Sequence, residues 1–289
     1  MKKKILCIIL AVACVLSACA GANKGAKLEN ITEGKKPDTF ECTYEGDKHT
    51  FIVYLPEETK DNMPLIIMLH PYAGNPASFR TLTHMEQVAC PRGYAVVYAG
   101  SKDAEWNSGM GNLTRDDAGF IKALTEYVQD EYGCDKERTF VAGFSNGAFM
   151  TQYLAMEAQD TFAAVATVAG LMPGNVWNSK KTTCDIGVLT IYGTSDDLIP
   201  MKLTGSYKTS PHPAIEDVVE YWASSNGLTS SSSEDLSEKS VLTKYSGDSS
   251  KKEVWNVVID EGRHSWPDET YAGFNTNELV LEFFEENTK

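Results

Sequence analysis

The run Gly143-Phe144-Ser145-Asn146-Gly147 is the part of the chain best suited to covalent chemistry. A Gly-x-Ser-x-Gly segment can make a strained strand-to-helix turn that lifts the serine hydroxyl clear of a sheet. A serine hydroxyl is a weak nucleophile, so it needs a base to take its proton and an acid to orient that base, in the chain order serine, carboxylate, histidine. Tyr192-Gly193-Thr194-Ser195-Asp196-Asp197-Leu198-Ile199-Pro200 supplies two carboxylates, Asp196 and Asp197. Gly262-Arg263-His264-Ser265-Trp266-Pro267 supplies a histidine close to the C-terminus. Such a set performs acyl transfer, with His264 drawing the proton from Ser145 and a carboxylate stabilising the imidazolium.

Each of these groups follows a segment that reads as a strand. Thr139 to Ala142 leads into the serine and Asn146 to Met156 continues as an apolar helix; Val188 to Tyr192 precedes the carboxylates and Val254 to Ile259 precedes the histidine. Leu65 to His70, Tyr94 to Ala99 and Ala163 to Val168 are further continuous apolar runs, the pattern of strands buried on both faces of a parallel sheet. Helical periodicity is expected over Asp117 to Tyr132, Ile215 to Ser225 and Glu278 to Glu285. Phe40 to Tyr44 and Thr50 to Tyr54 alternate around Glu45-Gly46-Asp47-Lys48 and predict an opening antiparallel hairpin. Strands alternating with helices imply the α/β class, a mostly parallel twisted sheet with helices on both faces. Carboxylates at the C-terminal ends of such strands sit where α/β sites form. Thr229 to Glu234 is Ser-rich and predicts a surface loop.

The 289 residues are 42% hydrophobic and 23% charged, the composition of a soluble globular protein with one substantial core. Residues 2–4 are lysines, followed by an apolar run from Ile5 to Leu16 that is too short for a stable membrane span, and then by Leu16-Ser17-Ala18-Cys19. This order resembles a bacterial lipoprotein signal. It implies cleavage after residue 18, acylation of Cys19, an extracytoplasmic location and membrane attachment through the N-terminal lipid. Residues 19–38, with no apolar period from Ala20 to Asp38, read as a flexible tether, and 39–289 as a single catalytic domain. The net charge is -14, and loss of Lys2, Lys3 and Lys4 leaves 23 basic against 40 acidic residues, or -17, which makes nucleic acid a poor partner. Four cysteines lie outside the export segment, Cys42, Cys90, Cys134 and Cys184; they allow three pairings or none, as small core residues.

Taken together these residues resemble the polyhydroxybutyrate depolymerase and feruloyl/acetyl xylan esterase family of α/β hydrolases, from about Phe40 to the C-terminus. The resemblance is carried by Gly143 to Gly147, by Gly193-Thr194-Ser195-Asp196 with Ile199-Pro200, and by His264-Ser265-Trp266-Pro267. Trp106-Asn107-Ser108-Gly109 and Asp116-Asp117-Ala118-Gly119-Phe120 are also similar. It implies an α/β-hydrolase fold and an ester hydrolase that uses no metal or organic cofactor, with the family's acid falling on Asp196, its base on His264 and Asp197 as the alternative acid. His70-Pro71-Tyr72-Ala73-Gly74 stands where the family has a His-Gly loop, so the oxyanion donors fall on the backbone amides of Tyr72 and Asn146. Pro71 replaces a glycine there, and Leu228 and the stretch near Tyr245 to Asp248 lack a cysteine pair that many relatives carry.

The expected substrate is a feruloyl or acetyl ester on plant polysaccharide. A depolymerase working on insoluble polyester usually adds a surface-adsorbing domain, and Tyr72, Trp106 and Trp266 flank the site as candidate walls of an aromatic slot. A stacked ring contributes about 0.5–1.5 kcal/mol beyond its buried area; the alternative role of Trp106 and Trp266 is to pack the loops. The rival functions are a polyester hydrolase, a prolyl oligopeptidase-type peptidase, which shares fold and triad, and a lipid-anchored binding protein on a hydrolase scaffold.

Overall fold

Apolar runs of four to eight residues become strands with no solvent-facing side. The computed structural model describes residues 26–110, 113–201, 213–248 and 250–289, so the export segment and Cys19 lie outside the described residues. The strands are β1 (Glu29–Glu33), β2 (Thr39–Tyr44), β3 (Asp47–Tyr54), β4 (Met63–Leu69), β5 (Ala95–Ala99), β6 (Cys134–Phe144), β7 (Ala164–Val168), β8 (Gly187–Gly193), β9 (Ser230–Asp235), β10 (Ser240–Gly247) and β11 (Ser250–Ile259). The α-helices are α1 (Pro76–Thr83), α2 (Met85–Ala89), α3 (Asp117–Tyr132), α4 (Asn146–Glu157), α5 (Gly174–Asn178), α6 (Ile215–Ser225), α7 (Glu269–Ala272) and α8 (Thr276–Glu286). Among the described residues none of these helices is long and apolar enough to cross a membrane.

One sheet runs β1-β2-β3-β5-β4-β6-β7-β8-β11-β10-β9. Its six central strands, from β5 to β11, are paired in parallel, and the strands beyond them on both sides are antiparallel. Every residue of β4, β5, β7 and β8 is buried, as expected of strands covered on both faces. The period-2 alternation divides them between two cores. Leu65, Ile67 and Leu69 face one side with Phe120 and Leu124 of α3, Leu154 of α4 and Trp222 of α6. Ile66 and Met68 face the other with Phe79 of α1, Met85 of α2 and Phe283 and Phe284 of α8. The mostly parallel, doubly covered sheet expected of an α/β-hydrolase fold is therefore what forms.

The second core is closed by a stacked pair, Phe140 of β6 on Phe284 of α8, ring centroids 4.5 Å apart and 9° from parallel. Both rings are fully buried, so Phe284→Ala is expected to leave a cavity and cost about 3–5 kcal/mol. Denaturant titration reads this as a lower midpoint at unchanged slope.

Two segments differ from their sequence-based expectations. Thr229 to Glu234 is not a loop: Ser230–Asp235 is strand β9, exposed throughout and paired antiparallel with β10. It carries no apolar alternation because neither face meets a core. Main-chain bonds hold it, with a Ser233–Thr243 hydroxyl contact of 2.9 Å and a Lys244–Glu234 ion pair. The expected tether is shortened in the same way, since Glu29–Glu33 pairs with β2. The four described cysteines are free thiols. Cys42 and Cys134 sit in the first core, where burial pushes their pKa values up to about 12 and about 11, which makes them inert packing groups.

Candidate active site

The four candidate loops leave the C-terminal ends of β4, β6, β8 and β11, and neighbouring strand positions bring them to one rim of the sheet. Between β6 and α4, Ser145 adopts φ 54, ψ -118, a strained conformation for a residue with a side chain. The flanking glycines make the turn possible: a Cβ on Gly143 would lie 2.3 Å from Gly147 O, and one on Gly147 would lie 2.1 Å from Leu69 O. Ser145 N–H is held by Val168 O at 2.9 Å, which ties the turn to β7.

Ser145 Oγ lies 2.9 Å from His264 Nε2, and His264 Nδ1 lies 2.7 Å from Asp196 Oδ2. A carboxylate only accepts, so Nδ1 carries the proton and Nε2 is free to accept from the serine hydroxyl. The side chains of His264 and Asp196 are 12% and 1% exposed, so the carboxylate is shielded from solvent while the imidazole stays partly accessible. Asp196 Oδ1 accepts from the amides of Leu198 at 3.0 Å and Ile199 at 2.7 Å. Asp197, its neighbour, points to solvent. The structure therefore places Asp196 in the line of three and leaves Asp197 out. Phe144 stacks on the imidazole of His264, with centroids 5.0 Å apart.

The backbone amides assigned to an oxyanion pocket lie on two of these loops. Asn146 is the first residue of α4, where the helix dipole favours negative charge. Tyr72 follows β4; the N–H groups of the next two residues, Ala73 and Gly74, are bonded to Ala104 O and Pro71 O, while Tyr72 N–H is in none of these turn bonds. Tyr72 is 66% exposed.

The aromatic slot expected from Trp106 and Trp266 is corrected by the packing. Trp106 is 1% exposed; its indole N–H donates to His70 O at 3.0 Å and its amide donates to Asn146 Oδ1 at 2.7 Å. Trp266 is 9% exposed, donates from Nε1 to Asn277 Oδ1 at 3.1 Å, and meets Phe79 and Phe144 edge-on. Both indoles find their polar partner and most of their apolar contacts inside the protein. They brace the loops: Trp266 backs the Phe144 ring that stacks on His264, and Trp106 joins the loop after β4 to the residue after Ser145.

The sequence points to Ser145 and His264 and leaves Asp196 and Asp197 as alternatives; it does not show this bracing. Asn146 is gripped through its side chain, accepting from Trp106 N–H and donating to Trp106 O at 3.3 Å. The Trp106 loop is in turn fixed by the buried Asp117, which accepts from Asn107 N–H at 2.6 Å and from Arg115 Nε at 3.0 Å. Arg115 also bonds Glu105 O. Burial pushes the Asp117 carboxyl above the usual range, against the pull of the Asn107 amide and Arg115. The only sequence signal was the resemblance of the 106–109 and 116–120 motifs, which did not specify what they hold.

His70, directly after β4, is fully buried. Burial pulls its pKa down from 6.5 to about 4, opposed by its bond to Pro71 O. The unfolded chain then binds more protons than the folded one between those values, so stability is complete above about pH 6.5 and falls as the pH drops toward 4. The expected loss is about 3 kcal/mol from this group, and buried His49, also shifted down by desolvation, acts in the same direction. Chemical unfolding at pH 7 and pH 4 checks this, with His70→Asn showing a smaller pH-dependent loss than the wild type.

Comparison with known proteins gives a consistent neighbourhood. The family model described as "Esterase PHB depolymerase" matches residues 49–219. The bifunctional acetylxylan esterase/xylanase of Neocallimastix patriciarum is 28% identical over 51% of this chain and 21% of its own length. Feruloyl esterase B of Thermothelomyces thermophilus is 28% identical over 50% of this chain and 52% of its own length. The chain thus spans about half the length, or less, of these two relatives. Among solved structures, acetyl xylan esterase from Aspergillus awamori superposes with a TM-score of 0.61 at 16% identity, over 82% of this chain and 94% of that one, which is a likeness of fold.

Proposed function

Since the chain belongs to the esterase PHB depolymerase family, we propose that it is a serine carboxylic-ester hydrolase whose reaction runs through Ser145, His264 and Asp196. The observation that carries this reading is the continuous contact Ser145 Oγ to His264 Nε2 to Asp196, at 2.9 and 2.7 Å. His264 accepts the Ser145 proton as Oγ attacks the ester carbonyl. The negative charge that develops on the carbonyl oxygen is received by the amides of Tyr72 and Asn146. The alcohol leaves with the proton returned by His264, and a water activated by the same imidazole releases the acid from Ser145. Asp196 holds the imidazole in the required tautomer throughout.

The substrate class we propose is an acyl ester on plant polysaccharide, feruloyl or acetyl. Support comes from the names of the two relatives and from the rim of the site, where the ring of Tyr72 and the side chain of Leu198 are exposed on loops that carry reacting groups. The family description favours a second reading, a hydroxyalkanoate polyester. Comparing kcat/KM on methyl ferulate, acetylated xylo-oligosaccharides and soluble 3-hydroxybutyrate oligomers separates them. Preference for the first two supports the polysaccharide reading; preference for the oligomers replaces it with the polyester reading. Absence of turnover on all three and on p-nitrophenyl acetate would refute ester hydrolysis itself.

We also propose that the protein is exported and held at the membrane by acylated Cys19, on the strength of Lys2 to Lys4, the Ile5 to Leu16 run and Leu16-Ser17-Ala18-Cys19. Cys19→Ala is expected to release it from the membrane fraction or leave it unprocessed. A mature N-terminus mapped elsewhere by mass spectrometry would contradict the assignment.

A further inference from the structure

Beside the proton relay lies a buried imidazole that the relay does not use. Both ring nitrogens of His70 are occupied, and their partners define which one carries the proton. Ser101 N–H donates to Nε2 at 3.1 Å, so Nε2 presents a lone pair. Nδ1 lies 2.8 Å from Pro71 O, which only accepts, so Nδ1 carries the hydrogen. Ser101 Oγ, 3.1 Å from Nε2, fits the same tautomer as a second donor.

The carbonyl that receives Nδ1–H belongs to the Pro71–Tyr72 peptide, and a planar trans peptide points its N–H opposite to its C=O. Anchoring Pro71 O therefore sets the direction of Tyr72 N–H. Three further constraints act on this loop. Gly74 N–H donates to the same Pro71 O at 3.0 Å, and Ala73 N–H donates to Ala104 O at 2.8 Å. Proline fixes its own φ. A Cβ on Gly74 would lie 2.8 Å from Pro71 O and 3.1 Å from His70 Nδ1, so the close approach depends on glycine. The position at which this chain departs from the family's glycine is the one whose carbonyl is held by two donors.

We propose that His70 is a positioning residue for the reaction: its Nδ1–H holds the Pro71–Tyr72 peptide so that the Tyr72 amide is aimed at the oxyanion before substrate arrives. This rests on the ester-hydrolase reading above and adds to it a source of preorganisation. The ring can do this across the neutral range because burial keeps it uncharged, with a pKa of about 4.

Two substitutions divide the functions of the ring. His70→Asn puts an amide N–H where Nδ1–H was and loses the reach to Ser101; His70→Gln reaches Ser101 and loses the donor to Pro71 O. Using p-nitrophenyl acetate, His70→Asn is expected to keep kcat within about threefold, and His70→Gln to lose about 10²–10³-fold in kcat, the effect of spoiling one oxyanion donor, at nearly constant KM. A trifluoromethyl ketone, which forms a tetrahedral adduct with the serine, should weaken for His70→Gln by a similar factor. Equal kcat losses in both variants, or a loss in His70→Gln that spares binding of the ketone, would overturn the proposal. Should either variant fail to fold, ¹⁵N shifts of His70 in the wild-type protein decide: an Nδ1–H neutral tautomer is expected, and an Nε2–H tautomer would overturn it. A wild-type protein inert on the ester would instead refute the esterase reading, so the two failures are distinguishable.

Discussion

Ser145→Ala is expected to lower kcat on an activated ester by on the order of 10⁶-fold, because members of such a relay act as a unit and what remains is binding and oxyanion stabilisation alone. The fold should survive. The strained φ of 54° is set by the crossing of Leu69, Gly143 and Gly147 backbones and not by the hydroxyl, and alanine meets the same backbone cost as serine. The lost contact is a single hydrogen bond to a partly exposed imidazole, worth about 1 kcal/mol. A melting temperature within a few degrees of the wild type, together with the loss of turnover, separates a chemical from a structural effect.

Asp196→Asn is the second large effect, about 10⁴-fold in kcat, and the geometry gives a reason for its size. Oδ1 of Asp196 is fixed by the amides of Leu198 and Ile199. An asparagine would keep its oxygen on those donors and so present its NH₂ group to His264 Nδ1. The imidazole would then have to accept at Nδ1 and carry its proton on Nε2, facing Ser145 with a donor where an acceptor is needed. Asp197→Asn, at an exposed carboxylate one residue away, is expected to change kcat by less than about threefold, within the range of surface substitutions. Steady-state kinetics on the two variants checks the ranking, and the reverse order would move the acid to Asp197.

What the amino-acid sequence reveals depends on how local the cause is. The runs Leu65 to His70 and Val188 to Tyr192 are legible as buried strands, since apolar continuity is itself the signature of a two-sided burial, and α3 and α6 match the expected spans residue for residue. Strand β9 is not legible, because a strand exposed on both faces has no apolar period and exists only through its partner β10. The same holds for β1 at the other edge. Within the site, Ser145 and His264 are readable from motif and order. Adjacent carboxylates are not, because Asp196 and Asp197 differ only in which one the amides of residues 198 and 199 capture. Trp106 and Trp266 show the limit most clearly: residue type and proximity suggested walls of a slot, whereas the partners of their N–H groups, His70 O and Asn277 Oδ1, come from distant segments. His70 could be placed in a loop from sequence, but its proton-bearing nitrogen follows only from Ser101 and Pro71 together.

The central claim, that Ser145 is a nucleophile activated by His264, is tested most directly by reaction with a fluorophosphonate followed by peptide mass spectrometry. The account predicts one phosphonyl adduct per chain, located on Ser145, with loss of esterase activity in proportion to labelling and no adduct on Ser145→Ala or His264→Ala. An enzyme that remains fully active after saturating treatment, or an inactivating adduct mapped to another residue, would contradict it.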